Sequence, residues 1–296
     1  KKWDTNKIIL FSRPGLGLTA PELNDILDAL AASGFDWYVN RPFARTLARE
    51  LPAARLYDTV SSELAEGAVM LSYGGDGTFL EAVRLAYGYD MPILGINYGH
   101  LGFLACTPRE EMASVFDELR AGRYEVQPRT MLHVESQDVR IAEHPYALNE
   151  FSIHRTEINM TYTDVFVDGR KLTTYRGDGV LISTPTGSTA YSLSVGGPIV
   201  DPMCGCFVIA PIAPHNLTMR PVVIPDTARV TLCVNSRAPY TAASLDNRSF
   251  QIAAGATFTV CKAEKPVFLA NLQNISFYDT LRNKMMWGLD GWENGR

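Results

Sequence analysis

The chain reads as an α/β domain followed by a mostly antiparallel β domain, and two observations carry that expectation. Over the first hundred residues, short apolar runs alternate with amphipathic segments at helical spacing, the pattern of a parallel sheet wrapped by crossover helices. From Tyr124 onward the period changes, and short β-branched and aromatic runs follow one another with tight turns between them. A length of 296 residues suits two domains, given roughly 100–200 residues for each.

Taken in order, strands are expected at Lys7 to Ser12, Phe35 to Asn40, Ala68 to Tyr73 and Pro92 to Asn97. Between the first two, Pro21 to Ser33 reads as a helix. Pro21 sits in its first turn, Leu23, Ile26, Leu27 and Leu30 share one face, and Gly34 stops it. After the third strand, Phe79, Leu80, Val83, Ala86 and Tyr87 make a second apolar helix face, with Thr78 and Glu81 spaced as a capping box at its start. A third helix, Pro108 to Ala121, buries Met112, Val115, Phe116 and Leu119 and ends at Gly122. In the β half, Val165-Phe166-Val167 turns at Asp168-Gly169 toward Leu172, the signature of a two-residue hairpin. Cys206 to Ile212, Arg229 to Val234, Thr257 to Cys261 and Val267 to Leu269 continue that half. Phe277, Tyr278, Leu281 and Met285 suggest a closing helix, with a frayed polar tail after Trp287.

Composition narrows the function classes. A chain with 46% hydrophobic and 20% charged residues can bury a substantial core, and a net charge of −5 gives no general basic field, so nucleic acid and anionic membranes are not expected partners. Five cysteines, odd in number and without Cys-x-x-Cys spacing, read as reduced thiols. Five scattered histidines offer no dense ligand cluster, so no protein metal site is assigned. No apolar run reaches the ~18 residues that a membrane span needs, and Lys1-Lys2-Trp3-Asp4 leads into a strand instead of a signal-peptide core, so a cytoplasmic location is expected.

The chemistry is concentrated in Gly74-Gly75-Asp76-Gly77-Thr78, which places one carboxylate in a glycine turn between a buried strand and a helix start. Glycines let a phosphate approach the backbone, and the N–H groups and dipole of a helix N-terminus favour an anion. Asp76 is the odd member. A carboxylate beside an anion site points to metal binding, proton acceptance from a hydroxyl, or a sugar contact; the plain alternative is a turn residue. A second loop, Thr184-Pro185-Thr186-Gly187-Ser188-Thr189-Ala190-Tyr191-Ser192, again follows an apolar strand and carries several hydroxyls. Gly15-Leu16-Gly17-Leu18-Thr19-Ala20 fits a dinucleotide fingerprint, but its acidic partner, Asp36, stands at the beginning of the second strand, and Asn40 occupies the far end where the carboxylate belongs.

Together, Gly74 to Thr78, Asn97-Tyr98-Gly99-His100-Leu101-Gly102-Phe103, Asn149-Glu150, Thr184 to Ser194, Gly196-Gly197-Pro198, Pro214-His215-Asn216-Leu217 and Arg220-Pro221 resemble the motif set of the NAD kinases. The resemblance covers nearly the whole chain after about residue 68. It implies a Rossmann-like α/β domain at 1–122, carrying the phosphate loop and joined by the C-terminal segment 275–296, and a β-rich NAD-binding domain at 123–274. It also implies transfer of phosphate from ATP, with Mg²⁺ or another divalent cation, to the 2′-hydroxyl of the adenosine ribose of NAD, giving NADP. The absence of a G-x-x-x-x-G-K-[ST] sequence leaves the Gly74 to Thr78 turn as the phosphate cradle.

Carried over by this resemblance, Asp76 is the general base, and Gly75, Gly77 and Thr78 belong to the cradle. Asn149 and Glu150 meet the NAD adenosine, and Arg176 and Asp178 line the nicotinamide side. Thr189, Ala190, Tyr191, Ser192 and Ser194 belong to the dinucleotide loop, where Leu193 is taken as packing. The resemblance further implies a homodimer or homotetramer. One departure is Asp246-Asn247-Arg248 in place of the family's Asp-Gly-Gln. Arg248 there either contacts a phosphate or points into solvent. Two rival functions remain: another kinase with a Gly-Gly-Asp-Gly turn, acting on diacylglycerol, sphingosine or a sugar phosphate as phosphofructokinases do, and a non-catalytic dinucleotide sensor. Asn149-Glu150 and the Thr186 to Ser192 loop favour NAD, and an intact Asp76 speaks against a sensor.

Overall fold

The computed structural model of the chain describes residues 3–47, 49–99, 102–156, 158–236, 238–272 and 276–286. His100 and Leu101 of the Asn97–Phe103 motif, Ile275, and the segment from Trp287 to Arg296 lie outside the described residues. The chain divides into two compact units, Lys1–Pro128 with Val267–Arg296, and Arg129–Pro266.

The first unit is a mixed α/β structure. Its strands β1 (Lys7–Ser12), β2 (Asp36–Asn40), β3 (Leu56–Tyr57), β4 (Ala68–Tyr73), β5 (Ile93–Asn97), β6 (Thr107–Pro108) and β7 (Tyr124–Arg129) are interleaved with helices α1 (Ala20–Ala32), α2 (Asp76–Ala86) and α3 (Met112–Ala121). β1, β4 and β5 pair in parallel, with Ser12 opposite Tyr73 and Tyr73 opposite Ile96. These central strands are buried almost throughout, as Ile8, Ile9, Leu10, Val69, Met70 and Leu71 show, because helices cover a parallel sheet on its faces. One capping box in this unit is at α1, where the Glu22 carboxylate accepts the Thr19 N–H at 2.8 Å. Gly122, left-handed at φ 66°, ends α3 where the sequence placed its stop.

The second unit is a curled antiparallel sheet formed by β8 (Leu132–Glu135), β9 (Tyr146–Ala147), β10 (Glu150–His154), β11 (Thr161–Val167), β12 (Arg170–Ser183), β13 (Cys206–Pro214), β14 (Val222–Pro225), β15 (Val230–Ser236), β16 (Tyr240–Leu245), β17 (Arg248–Ala253) and β18 (Thr257–Lys262). The Asp168-Gly169 hairpin forms as expected, with both residues at positive φ, 49° and 75°. Phe151, Ile153, Val180, Ile182, Phe207, Ile209, Leu232 and Phe258 form its core.

The last strand, β19 (Val267–Leu272), differs from the expectation that Val267 to Leu269 continue the antiparallel half. It pairs in parallel with β5 through Leu269 opposite Ile93 and takes its place in the order β3-β2-β1-β4-β5-β19-β7. Ala270 and Leu272 accordingly pack into the first unit's core with Leu94 and Ile96. The units therefore divide at Pro128/Arg129 and Pro266/Val267, not at 122/123 and 274/275, because the strands on either side are held by backbone pairing that no single-segment reading displays. Helix α4 (Phe277–Met285) closes the described chain, capped by Ser276 and Asp279.

Candidate functional site

In the first unit, β4 delivers the chain into Gly74, whose φ of 151° belongs to glycine, and a Cβ there would lie 2.5 Å from Thr78 Oγ1. Gly75 is extended and caps the helix, its carbonyl accepting the N–H groups of Thr78 and Phe79 at 3.0 and 3.1 Å. Helix α2 thus begins at Asp76, earlier than the predicted Thr78–Glu81 capping box. Thr78 is instead a buried first-turn residue, and Glu81 pairs with Arg13 at 3.3 Å. A Cβ at Gly75 would meet open space, and one at Gly77 would have only Arg13 Nη1 near it, at 3.5 Å. The turn is therefore open to a ligand on the side where the free N–H groups of a helix start lie. Arg13 is a cation the sequence reading missed. Its signal was its place directly after β1, whose Ser12 pairs with Tyr73 at the mouth of the turn.

Asp76 carries a load that the sequence did not reveal. Its Oδ2 accepts the Phe103 N–H at 3.0 Å, and its Oδ1 accepts those of Leu104 and Ala105 at 3.1 and 3.0 Å. The carboxylate anchors the loop after β5, and a Cβ at Gly102 would overlap it. With about four lone-pair sites on a carboxylate, Oδ1 is filled and Oδ2 keeps one site for a further donor. Past the end of β5, a cleft of about 440 Å³ is lined by Asn97, Tyr98, Gly99, Pro108, Arg109 and Glu110. The Arg109 guanidinium lies 4.9 Å over the Tyr98 ring and pairs with Glu22 at 2.6 Å.

In the second unit, Asn149 and Glu150 stand at the start of β10 and are both buried. The loop from Thr184 folds back on them: Thr184 N–H donates to the Asn149 carbonyl at 2.9 Å, and Thr184 Oγ1 donates to the Leu148 carbonyl at 2.5 Å. Gly187 passes so close that a Cβ would collide with the Asn149 backbone. Thr186–Thr189 form a 3-10 turn and Tyr191–Ser194 a single helical turn, separated by Ala190. In this loop Ser188 is spent on Val200, and Thr189, one of the hydroxyls expected to serve a ligand, donates to the Thr186 carbonyl. Ser192 Oγ is buried without a partner, Ser194 is exposed, and Tyr191 is 39% exposed. Leu193 is half-buried.

Glu150 has a strongly perturbed carboxyl. It is 8% exposed, its Oε2 has no partner, and burial followed by the charge of Asp246 pushes its pKa up to about 8 against the pull of the Tyr191 N–H. Burial, with Asp178 and Glu150 nearby, also raises the Tyr191 phenol. Farther along β12, Asp178 is clamped by Arg155 at 2.8 Å, and Arg176 lies 5.8 Å from the Tyr162 ring. Arg248 is half-buried and held by backbone, not pointed freely into solvent. It donates to the carbonyls of His144 and Tyr146 at 2.9 and 2.8 Å, because the β16–β17 hairpin lays it along that strand.

His133, Glu135 and Cys261 come together by pairing of β8 with β18, their ligand atoms all within 4.8 Å, a grouping invisible in the scattered sequence. Arg229 already occupies it, donating to both Glu135 oxygens at 2.9 and 2.8 Å.

The comparisons with known proteins agree across both units. The ATP-NAD kinase N-terminal domain family matches residues 26–124, and the ATP-NAD kinase C-terminal domain family matches 148–272. An NAD kinase of Cytophaga hutchinsonii is 37% identical over 285 residues, 95% of this chain and 98% of its own. One of Bacteroides fragilis is 40% identical over 263 residues, 88% of this chain and 91% of its own. Among solved structures, a yeast NADH kinase complexed with NADH superposes with a TM-score of 0.82 at 22% identity, covering 97% of this chain and 89% of that one, a likeness of fold. With both domain families matched and curated relatives covered over most of their length, the chain belongs to the ATP-NAD kinase family and is an ATP-dependent NAD kinase.

Proposed function

We propose that the enzyme transfers the terminal phosphoryl group of ATP to the 2′-hydroxyl of the adenosine ribose of NAD, with Asp76 accepting the hydroxyl proton. The observation that carries this is the remaining acceptor site on Asp76 Oδ2 at an open glycine turn, since the other contacts of that carboxylate fix its direction. Phosphoryl transfer asks for alignment and charge neutralisation more than covalent help. Gly75, Gly77 and the N–H groups of the α2 start take phosphate oxygens, and Thr78 stiffens the turn from inside. Asn149 and Glu150 hold the adenosine ribose, Arg176 and Asp178 take the nicotinamide side, and the Thr189 to Ser194 loop holds the dinucleotide, with Tyr191 offering a ring to stack on.

The donor set suits Mg²⁺, which keeps several waters and needs one or two carboxylates besides substrate phosphates. Bound mainly by substrate phosphates at the open glycine turn, the ion would meet Asp76 only through water, since the remaining Oδ2 site is taken by the hydroxyl. When bound, the ion neutralises phosphate charge. We further propose a cytoplasmic homodimer or homotetramer. Among the described residues no helix is long and apolar enough to cross a membrane. Light scattering at low micromolar protein should give a multiple of the chain mass.

The test is incubation of the purified protein with ATP, Mg²⁺ and either NAD or NADH, followed by NADP-specific detection. Phosphate appearing at the ribose 2′ position supports the reading. Phosphorylation of diacylglycerol, sphingosine or a sugar phosphate with NAD left untouched overturns it.

A further inference from the structure

The tip of the β16–β17 hairpin grips the segment ahead of β10 from both sides of its turn. Asp246, left-handed at φ 51°, accepts the N–H of Leu148 on Oδ2 at 2.8 Å and those of Asn149 and Glu150 on Oδ1 at 2.8 and 3.1 Å. Its own N–H donates back to the Glu150 carbonyl at 3.0 Å. Two residues on, Arg248 holds the carbonyls of His144 and Tyr146.

Three successive N–H groups converging on one carboxylate cannot belong to an extended strand, whose N–H groups alternate in direction. They make a concave nest. The bend at Leu148–Glu150 therefore exists because Asp246 fills it. Without that acceptor, three successive N–H groups lose a charged hydrogen-bond partner. Asp246 also stands against Glu150, the one charged group facing it from this hairpin. From the loop after β12 it meets the Tyr191 N–H and phenol, the latter also under the charge of Asp178. Ser183 on β12 is the residue opposite it in register.

We propose that Asp246 is the positioning residue of the dinucleotide site: it moulds Leu148–Glu150 into the nest from which Asn149 and Glu150 serve NAD, and acts on NAD affinity through Glu150. The proposal rests on the reading that Glu150 binds NAD. It gives the Asp246-Asn247-Arg248 sequence a role in which no residue of the hairpin tip touches the ligand. Asp246 supplies the acceptor, the exposed Asn247 makes the turn, and Arg248 braces the approach.

A double-mutant cycle tests it, with NAD affinity measured by calorimetry without ATP on Asp246→Asn, Glu150→Gln and the double variant. Asn keeps one carbonyl acceptor but turns an N–H donor toward the nest and removes the charge beside Glu150. Asp246→Asn should weaken NAD about tenfold while KM for ATP and kcat stay within about twofold. In the Glu150→Gln background the same change should cost less than about threefold, because coupled residues are not additive. The pH at which NAD affinity changes should also move to lower values in Asp246→Asn, a readout that lost folding would not shift. Equal effects of Asp246→Asn in both backgrounds, or parallel losses in NAD affinity, ATP affinity and kcat, would overturn the proposal alone. Unchanged NAD affinity in Glu150→Gln would overturn it together with the reading beneath it. Should Asp246→Asn not fold, Asp246→Glu enters the same cycle. It keeps the charge and displaces the acceptor, so NAD weakens while the pH inflection stays, and unaltered NAD affinity counts against the proposal.

Discussion

Replacing Asp76 by Asn removes the proposed base and breaks an anchor at once, and the two losses can be sized separately. An Asn can keep its carbonyl toward Leu104 and Ala105, but its NH₂ then opposes the Phe103 N–H, which now donates to Oδ2 at 3.0 Å. Losing one hydrogen bond to a charged acceptor costs about 1.5–3 kcal/mol. At ~2–4 °C per kcal/mol for a unit of this size, the thermal midpoint should fall by roughly 3–12 °C. The general-base role adds a separate, kinetic loss of ~10²–10⁴-fold in kcat. The assay is kcat by coupled NADP detection well below both midpoints, with NAD affinity measured by calorimetry. If Asp76 is the base, kcat collapses while NAD affinity holds or tightens as a negative charge leaves the phosphate site. Gly102→Ala, whose Cβ would overlap the same carboxylate, is the companion variant: it displaces the anchor and the proposed base together, so the midpoint and kcat should fall in step. Asp76→Asn turning over within about tenfold of the parent would refute the base assignment and leave Asp76 as the anchor of the loop after β5.

Glu150→Ala should raise KM for NAD with a smaller change in kcat, because a binding contact present before and during reaction is uniform binding; a fall in kcat at constant KM would move Glu150 into the chemistry. Stability should also report on this carboxyl. Its pKa is raised from 4.5 to about 8, so between those values the native state holds a proton that the unfolded chain has released, and stability falls as pH rises through that window. At about 1.4 kcal/mol per unit this reaches a few kcal/mol, so calorimetric midpoints of Glu150→Gln should exceed the parent's above pH 8 and converge below pH 4.5. Gly187→Ala forces a Cβ into the Asn149 backbone, so NAD affinity and the midpoint should drop together; an unchanged dissociation constant would show that the loop can yield. Arg248→Gln frees the carbonyls of His144 and Tyr146 and should cost about 1–3 kcal/mol in denaturant unfolding, and an altered salt dependence of ATP binding would show that it also meets a phosphate.

Much of the α/β half could be read directly, because its information is local. β1, β4 and α1 announce themselves through apolar runs and helical spacing, and Gly122 stops α3 as Gly stops do. The Gly74 to Thr78 turn and the Asp168-Gly169 hairpin are equally local, since backbone conformations that only glycine and a few others tolerate leave their mark in the residues themselves. Helix starts were less secure. Thr78 and Glu81 have the spacing of a capping box, but the bare N–H groups after Gly75 let the helix begin earlier.

What tertiary structure alone decided is which distant backbone a side chain serves. Asp76 and the amides of Phe103, Leu104 and Ala105 meet because β4 and β5 lie side by side, and Asp246 reaches Leu148, Asn149 and Glu150 because β16 pairs with β10. The same holds for β19, whose apolar run fits either half and joined the first through pairing with β5. Residue type specifies the chemistry a group can perform, whereas backbone N–H and C=O groups are alike at every position. Their assignment to Asp76, Asp246 or Arg248 therefore carries no sequence signature and is settled by strand register.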